Sequence, residues 1–300
     1  MPDFDLSITI CSWNTVDDLR LCLQSLRDAK DEGCFEVVVV DNASEDGSAD
    51  MVEKEFPEFR LLRQYKNLGF TGGHNLAIRE RKGRDVALLN SDTIVHKGAI
   101  KTLMAYMGSH PEVGIVGPKL LNPDGSLQYS CRRFPNPVAA AFRNTLLGRI
   151  FPNNRFTRDY LMSNWEHTEP REVDWVSGAA FFIRGDVVQK IGALDPKFFM
   201  YCEDVDLCKR TWAAGWKVVY MPDAVITHAI GKSSDQVPNR MIAQFHISML
   251  RYYTKHNVAE SFVLLRPFLW LFAALALGTR ATLFYIKNKI DVVRRALSKR

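Results

Sequence analysis

Carboxylate side chains follow apolar runs at several places in the chain, and their residue types could perform chemistry. Asp41 ends a run of four valines, and Asp92 follows a second apolar run after Asn90 and Ser91. Farther along, three acids fall within four residues: Glu203, Asp204 and Asp206. Carboxylate oxygens bind divalent cations and accept N–H groups, and a carboxylate shielded from water can act as a general base. These positions are therefore candidates for metal binding, ligand binding and proton transfer.

Asp92 and His228 are the candidates for a metal site. A reaction that releases a diphosphate develops negative charge, which Mg²⁺ or Mn²⁺ held by carboxylate oxygen could stabilise. His228 ends a predicted strand at residues 224–227, where its imidazole could reach the metal or the diphosphate. Structural roles are also open. Ser91 and Asp92 suit the cap of a helix predicted near Gly98, and a lone histidine is commonly a satisfied structural residue.

Asp41 could accept the imide N–H of a uracil or thymine ring, although a turn or a helix cap explains the same residue. A dinucleotide cofactor is disfavoured, because no G-x-G-x-x-G turn follows the first predicted strand. Gly69, Gly72 and Gly73 fall at the predicted start of a helix, where the backbone could closely approach a sugar or a diphosphate. A simple helix-entry turn is the alternative for these glycines.

The acidic cluster begins a predicted helix, so a favourable interaction with the helix dipole could explain it without catalysis. The aromatic stretch at residues 198–201 favours a catalytic role. Aromatic side chains exclude water and thereby raise the proton affinity of a neighbouring carboxylate. We predict that Glu203 and Asp204 supply a general base and that Asp206 is structural.

Alternating strands and helices must position these residues. The apolar runs predict strands at residues 6–11, 35–40, 59–62, 86–89, 113–117 and 175–183. The helical spacing and turn residues predict helices after residue 14, near residue 48, over residues 72–81, and near residues 98, 186 and 203. This alternation is typical of an α/β fold with a mostly parallel, doubly wound sheet. Such sheets bind ligands at the carboxyl ends of their strands, where Asp41 and Asp92 fall.

The C-terminus combines positive charge with apolar residues. Residues 266–300 carry eight Lys and Arg against one acid, a net charge of +7, so the remaining residues account for −2 of the formal +5. The longest uninterrupted apolar run, 268–278, is too short to span a bilayer, and Trp270 and Tyr285 flank it as interfacial residues do. We predict a membrane-associating helical segment and no nucleic-acid partner. A basic helix packed on the domain is the alternative.

The six cysteines form no C-x-x-C pair and no metal-ligand or disulfide spacing, so reduced thiols are expected. The first residues lack the basic start and apolar run of a signal peptide. We therefore expect a catalytic body on the cytoplasmic side.

The ordered set of motifs resembles one enzyme family. The motifs are Ser12-Trp13-Asn14, Val40-Asp41-Asn42-Ala43-Ser44, Asn67-Leu68-Gly69-Phe70, Asn90-Ser91-Asp92-Thr93, Trp175-Val176-Ser177-Gly178-Ala179 and Phe199-Met200-Tyr201-Cys202-Glu203-Asp204-Val205-Asp206-Leu207. Over residues 5–255 the chain resembles family 2 of the glycosyltransferases, in its bacterial rhamnosyltransferase-like subgroup. Each motif alone has low specificity, but their order is highly specific.

The resemblance implies a GT-A fold (the nucleotide-diphospho-sugar transferase fold) and an inverting single displacement. It implies that Asp204, neighboured by Glu203, deprotonates the acceptor hydroxyl and that Asp92 and His228 contact Mg²⁺ or Mn²⁺. Asn90 occupies the first acidic position of the family's DxD motif, which implies modest metal affinity. Nucleotide-sugar contacts are implied for Cys11, Ser12, Trp13, Asp41, Asn67, Gly69, Gly72, Gly73 and Ser91. The acceptor or sugar pocket is implied for Trp175, Ser177, Gly178 and Tyr201.

The predicted organisation is a GT-A domain at residues 1–258 followed by the helical segment 259–300. The domain would divide into a nucleotide-binding half at about 1–120 and an acceptor-binding half at about 121–258. The subgroup implies transfer of L-rhamnose from dTDP-rhamnose to a polyprenyl-diphosphate-linked saccharide, at the cytoplasmic face of a bacterial inner membrane, with peripheral or monotopic attachment. A UDP-linked hexose donor, a sugar nucleotidyltransferase and a non-catalytic glycan-binding protein are the alternatives.

Overall fold

The computed structural model describes residues 2–136, 139, 142, 146–229 and 236–297. Within them the strands are β1 (Phe4–Ser12), β2 (Phe35–Asp41), β3 (Arg60–Arg63), β4 (Gly83–Asn90), β5 (Thr93–Val95), β6 (Val113–Leu121), β7 (Leu127–Gln128), β8 (Cys131–Arg132), β9 (Arg171–Glu172), β10 (Trp175–Val176), β11 (Ala180–Ile183) and β12 (Lys217–His228). The α-helices are α1 (Val16–Asp28), α2 (Ser48–Glu55), α3 (Gly69–Glu80), α4 (Ala99–Ser109), α5 (Leu146–Ile150), α6 (Arg155–Leu161), α7 (Gly185–Ile191), α8 (Glu203–Ala213), α9 (Pro238–Tyr253) and α10 (Arg266–Leu297).

One large sheet organises the described residues. Its order is β3-β2-β1-β4-β11-β6-β12-β5, with β7 paired to β6 and β9 paired to β12. The first four strands in sequence are parallel, since helices cross between them, and this half confirms the predicted α/β sheet. β11 is inserted antiparallel between β4 and β6, so the whole sheet is mixed.

The strand register brings distant residues to one edge of the sheet. Cys11 pairs with Asn90, and Ser12 pairs with Asp41. On the far side of the sheet, His228 pairs with Thr93, the residue directly after Asp92. Strands β1, β2, β4 and β12 therefore deliver their C-terminal residues to a common region.

Two apolar layers cover the sheet, because alternate strand residues face opposite sides. Ala87 and Leu89 of β4 pack in the layer that includes α1, α2 and α4, whereas Val86 and Leu88 pack in the layer that includes α7 and α8. All four are at most 1% exposed. Burial on both faces fits the continuous apolar run at residues 86–89 of β4.

Three local predictions differ from the structure. Residues 175–183 were expected to form one strand, but a turn at residues 177–179 divides them into β10 and β11. Ser91 and Asp92 do not cap a helix, because β5 lies between them and α4. The helix predicted over residues 72–81 begins three residues earlier, at Gly69. Part of the loop-rich stretch predicted at 122–154 lies outside the described residues.

The C-terminal segment is one long helix. A π-helical turn at Thr254–Val258 follows α9, and α10 then packs against α9, burying Ala273. The expectation that this segment is too short to span a bilayer was wrong as to length, because the helix that carries the apolar run 268–278 continues through Arg280. The stretch Val263–Ile290 is long and apolar enough to cross a membrane, and only 6% of its most apolar part is buried. This low burial is unlike that of a core helix.

All six cysteines are free thiols, as predicted. The fold is therefore held together by its apolar layers and not by disulfide bonds between these cysteines.

Candidate active site

A cleft opens where the strands β1, β2 and β4 end. Five of the predicted donor-binding residues line it: Cys11, Trp13, Asn67, Gly69 and Ser91. Asp92 also lines it, beside Asn90. The further lining residues are Asn42, Phe70, Phe199, Met200, Val237, Arg240 and Met241. The position matches the expectation that ligands bind beyond the carboxyl ends of parallel strands.

Ser12 lies behind the cleft rather than on its surface. Its hydroxyl is within 3.0 Å of the Thr15 hydroxyl, which in turn lies 2.9 Å from the hydroxyl of Ser91. Ser12 and Ser91 are both buried. This chain of hydroxyl groups fixes the end of β1 against the turn that carries Asp92.

The predicted glycines are required by close packing. A Cβ atom on Gly69 would lie 2.5 Å from the backbone oxygen of Phe199, and its φ of +75° also favours glycine. A Cβ on Gly73 would lie 2.3 Å from Cys11 Sγ, and one on Gly72 would lie 2.8 Å from Leu68 Cβ. Of the three, only Gly69 lines the cleft, so for Gly72 and Gly73 the structure gives a packing reason.

Asn42 organises the cleft wall, and the sequence analysis did not single it out. Its side-chain oxygen accepts the Leu68 N–H at 2.8 Å, and its amide nitrogen donates to Asn67 Oδ1 and to the Gly69 carbonyl, both at 3.1 Å. The same nitrogen lies 3.3 Å from Cys11 Sγ. Its position directly after Asp41, inside one of the quoted motifs, was the available signal.

Asp41 is buried beside this wall with one oxygen unused. Its Oδ2 accepts the Ser44 N–H at 3.2 Å, whereas its Oδ1 has no hydrogen-bond partner among the described residues. Burial, reinforced by the charge of Asp41, raises the pKa of the Cys11 thiol to about 12, so Cys11 stays protonated. An unpaired buried carboxylate oxygen is costly unless a ligand donates to it.

Asp92 and His228 converge as predicted for a metal site. Asp92 Oδ1 lies 3.3 Å from His228 Nε2, and each side chain is 9% exposed. Asn90, in the first position of the motif, also lies with its amide nitrogen 3.2 Å from His228 Nε2. Two distant strand ends thus place a carboxylate oxygen and an imidazole nitrogen side by side at the cleft.

Gln128 fixes the orientation of His228, and the sequence analysis missed it. The Gln128 amide nitrogen donates to the His228 carbonyl at 3.2 Å and to Asn122 Oδ1 at 2.9 Å. Its oxygen is therefore the atom 2.7 Å from His228 Nδ1, and the imidazole donates to it through Nδ1–H. In the neutral ring this leaves a lone pair on Nε2, the nitrogen that faces Asp92.

The Asp92–His228 pair fits a divalent cation that shares its coordination with a ligand. Among the described residues, no three His, Cys, Asp or Glu side chains converge on one point. Two protein ligands leave several coordination positions for water and phosphate oxygens, which is how Mg²⁺ sites with few protein ligands are usually completed. The presence of Asn90 in place of an acid at the first position of the motif is consistent with a cation site that has few protein ligands.

Asp204 is held by the backbone in an oriented position. Its Oδ2 accepts the Gly178 N–H at 2.9 Å and its Oδ1 accepts the Val205 N–H at 2.8 Å. Gly178 lies in the turn between β10 and β11, and a Cβ there would lie 3.4 Å from Asp204 and 3.6 Å from the ring of Phe70. Phe70 lines the donor cleft, whereas Asp204 does not, so Gly178 connects Asp204 to the edge of that cleft.

The two adjacent acids differ in environment. Glu203 is 5% exposed and its Oε2 has no partner in the described part of the chain, whereas Asp204 keeps partial exposure. Burial and then the charge of Asp204 raise the pKa of Glu203 well above its ordinary value. Burial also raises the pKa of Asp204, against the opposing effect of its backbone hydrogen bonds. Burial thus acts more strongly on the pKa of Glu203, and Asp204 is the more accessible of the two carboxyl groups.

Asp206 is a structural ion, as predicted. Burial opposes its ionisation, but hydrogen bonds and charges from His256, Arg210 and Lys255 lower its pKa to about 2. Arg210 lies 2.7 Å from Oδ2, and Lys255 and His256 each lie 2.7 Å from Oδ1. Because Lys255 and His256 belong to the π-helical turn, this network ties α8 to the segment that precedes α10.

Backbone geometry places the acids at the helix start. Tyr201 and Cys202 have φ values of +70° and +66°, which are uncommon for residues other than glycine and cost energy. This bend begins α8 at Glu203, and the Tyr201 ring packs edge-on to Phe245 at 5.6 Å. Trp175 is buried and donates to the Arg133 carbonyl at 2.8 Å, and the Ser177 N–H donates to the Ser130 carbonyl at 2.7 Å. Trp175 and Ser177 therefore support the Gly178 turn.

Comparisons with known proteins agree with this geometry. Residues 2–246 match the family model described as "Glycosyltransferase like family 2". An N-acetylglucosaminyl-diphospho-decaprenol L-rhamnosyltransferase from Mycobacterium tuberculosis is 32% identical over 223 residues, 71% of this chain and 72% of that protein. The rhamnosyltransferase WbbL from Escherichia coli K12 is 26% identical over 228 residues, 72% of this chain and 80% of that protein.

Solved structures show the same fold. TarS 1–349 from S. aureus in complex with UDP matches with a TM-score of 0.53 at 18% identity, covering 83% of this chain and 65% of that chain. GalNAc-T7 with UDP, GalNAc and Mn²⁺ matches with a TM-score of 0.56 at 15% identity, covering 75% of this chain and 44% of that chain. The fold is GT-A, as the sequence resemblance implied. Together with the family model and the relatives, these matches show that the chain belongs to glycosyltransferase family 2 and is rhamnosyltransferase-like.

Proposed function

We propose that this glycosyltransferase inverts the anomeric centre of its donor sugar in a single displacement that depends on Mg²⁺ or Mn²⁺. The observation that carries the proposal is the placement of Asp204. It is a partly accessible carboxylate with a raised pKa, oriented by two backbone N–H groups. One of those groups belongs to Gly178, which also neighbours Phe70, and Phe70 lines the same cleft as Asp92. A base beside the cleft that holds the candidate leaving-group site suits a direct displacement.

In the proposed reaction, Asp204 accepts the proton of an acceptor hydroxyl as its oxygen attacks the anomeric carbon. The bond from that carbon to the nucleoside diphosphate breaks on the opposite face, which inverts the configuration. Asp92 and His228 would hold the divalent cation, whose chemistry is to stabilise negative charge on the departing diphosphate. Burial raises the pKa of Glu203 well above its ordinary value, and a protonated Glu203 would spare Asp204 the repulsion of a second carboxylate.

For the donor, we propose dTDP-L-rhamnose. Rhamnosyl transfer is in the printed names of several relatives, including a dTDP-rhamnosyl transferase from Shigella flexneri that is 24% identical over 90% of this chain. The unpaired Asp41 Oδ1 supports a base with an imide N–H, which both thymine and uracil carry. A UDP-linked hexose is therefore the second candidate, since two structures of the same fold contain UDP.

For the acceptor, we propose a polyprenyl-diphosphate-linked saccharide in cell-surface polysaccharide synthesis. The name of the mycobacterial relative contains such a lipid, and the basic, apolar helix α10 supports peripheral or monotopic attachment to the cytoplasmic face of a bacterial inner membrane. The division into a transferase domain at residues 1–258 and a membrane-associating segment at 259–300 belongs to the same proposal.

A panel of nucleotide-sugars tests the reaction and the donor together. The full chain is incubated with dTDP-rhamnose and with UDP-linked hexoses, with Mn²⁺, with Mg²⁺ and with chelator, and released nucleoside diphosphate and donor affinity are measured. The expected result is metal-dependent binding and slow hydrolysis of dTDP-rhamnose in preference to the UDP-sugars. Equal hydrolysis with chelator would contradict metal dependence. Release of pyrophosphate from a nucleoside triphosphate would point to a nucleotidyltransferase, and no donor binding would point to a glycan-binding protein.

A further inference from the structure

A second, larger cavity lies on the other side of the acidic cluster, between α6, α9 and α10. Its volume is about 1280 Å³, above the range of about 300–1,000 Å³ typical of small-molecule pockets. Much of its wall is apolar, including Leu161, Met249, Ala273, Ala276, Leu283 and Phe284. We call this cavity the α10 groove. None of the predicted donor or acceptor residues lines it.

The α10 groove is also positively charged. Among the described residues that line it, three are basic, namely Arg149, Arg280 and Lys287, and none is acidic. The Arg280 guanidinium lies 5.5 Å from the centre of the Phe284 ring, and its buried Nε has no hydrogen-bond partner among the described residues. An apolar wall combined with these basic side chains suits a ligand that has both a hydrocarbon part and an anionic part.

One wall of the groove adjoins the catalytic helix. Met249 lines the groove, and its sulfur lies 3.4 Å from Cys202 Sγ. Cys202 directly precedes Glu203 and Asp204 at the start of α8. A molecule held in the groove would therefore lie close to the base proposed to activate the acceptor.

The groove also borders an exposed apolar surface. Phe268, Leu271 and Leu275 on the same helix are 71%, 52% and 64% exposed and do not line the groove. If this surface meets a bilayer, a hydrocarbon chain could enter the groove along α10 without crossing water.

We propose that the α10 groove binds the polyprenyl diphosphate portion of the acceptor, with isoprene units on its apolar wall and the diphosphate beside its basic side chains. This inference deepens the proposed function, on which it rests, by giving the lipid its own binding site. It assigns affinity for the lipid to residues that take no part in sugar transfer.

Photo-crosslinking tests the groove without requiring turnover. The probe is geranylgeranyl diphosphate with a benzophenone at its hydrocarbon end, applied to the full chain in detergent, and labelled peptides are mapped by mass spectrometry. Competitors are decaprenyl diphosphate and vesicles of phosphatidylglycerol. The variant Ala276→Trp fills the groove, and Leu275→Trp adds the same ring at the neighbouring exposed position outside it.

We expect labelling of peptides from α6, α9 or the inner face of α10, competition by decaprenyl diphosphate and little competition by phosphatidylglycerol. Ala276→Trp should weaken apparent probe affinity about tenfold, through the loss of about two buried CH₂ contacts, while Leu275→Trp leaves it unchanged. Labelling elsewhere, equal competition by phosphatidylglycerol or equal effects of the two variants would overturn the proposal. Donor hydrolysis by wild type and both variants is measured in parallel. Its absence from all three, with labelling intact, would refute the transferase mechanism and not the lipid site.

Discussion

The contrasting environments of Glu203 and Asp204 lead to one sharp prediction. Replacing Asp204 by Asn should nearly abolish transfer, whereas the matched change Glu203→Gln should preserve most of it. A general base contributes about 10²- to 10⁴-fold to a rate, equivalent to about 3–5 kcal/mol of activation free energy. Burial raises the pKa of Glu203 and its Oε2 has no partner among the described residues, so we expect a neutral amide to replace it closely.

Asp204→Asn also carries a structural cost that must be measured separately. Both Asp204 oxygens accept backbone N–H groups, so the amide nitrogen of Asn must face one of these donors. The lost hydrogen bond should lower the free energy of unfolding by about 1–3 kcal/mol. Donor affinity should change little, because Asp204 does not line the donor cleft.

The assay follows nucleoside diphosphate released from dTDP-rhamnose in the presence of a polyprenyl-diphosphate-linked saccharide. Calorimetric titration gives donor affinity, and thermal unfolding gives stability. For wild type, kcat should fall as pH decreases through a value above 3.8, the ordinary pKa of an aspartate, because Asp204 must be ionised to act as a base. A folded Asp204→Asn protein that keeps more than about a tenth of wild-type kcat would refute the assignment. So would a Glu203→Gln protein as inactive as Asp204→Asn.

Three further predictions concern other parts of the chain. Asp41→Asn should weaken dTDP or UDP binding about tenfold to a hundredfold, since an amide N–H replaces the free acceptor. CDP, whose ring nitrogen is an acceptor, should lose less affinity, and equal losses of affinity for all three nucleotides in calorimetry would contradict this role. Gln128→Leu should weaken Mn²⁺-dependent donor binding about 10- to 100-fold, while Gln128→Glu, which keeps an acceptor for His228 Nδ1, should lose less affinity. Identical affinities of the two variants in Mn²⁺ titrations would argue against the orientation of His228 by Gln128. Asp206→Asn should lower the free energy of unfolding at neutral pH by about 2 kcal/mol, from the depression of the pKa from 3.8 to about 2. Because that pKa is lowered, the contribution of Asp206 to stability is present above pH 4 and is lost as pH falls towards 2. Urea unfolding should therefore show the difference in free energy of unfolding between wild type and Asp206→Asn becoming smaller as pH falls.

The sequence predicted the parallel half of the fold because its signals are local. Short apolar runs followed by polar residues located β1, β2 and β4, and the ends of those strands located Asp41 and Asp92. The insertion of β11 between β4 and β6 depends on pairing between residues about 90 positions apart, for which periodicity carries no signal. The Gly178 turn was missed although Ser177-Gly178, a common turn signal, interrupts the apolar residues from 175 to 183. What the sequence could not show is that this turn brings the Gly178 N–H to Asp204.

Side-chain partners were harder to predict than site residues. Asn42 and Gln128 occupy ordinary positions in the sequence, and their roles arise from hydrogen bonds to residues 25 and 100 positions away. Gly72 and Gly73 were predicted to let the backbone approach a ligand, and the structure adds a packing reason that the sequence did not show, the contacts with Leu68 and Cys11. A residue type shows what chemistry is available, whereas its partners decide which chemistry is used.

The acidic cluster illustrates this most directly. Glu203, Asp204 and Asp206 lie within one helical turn, yet their pKa values shift differently. Burial raises the pKa of Glu203 well above its ordinary value and also raises that of Asp204, whereas three basic side chains lower the pKa of Asp206 to about 2. The cations that stabilise Asp206 come partly from the turn before α10, so the segment that leads into the proposed membrane helix shares an ion network with α8. If α10 shifts on contact with a bilayer, Lys255 and His256 are the residues through which that shift would reach the base.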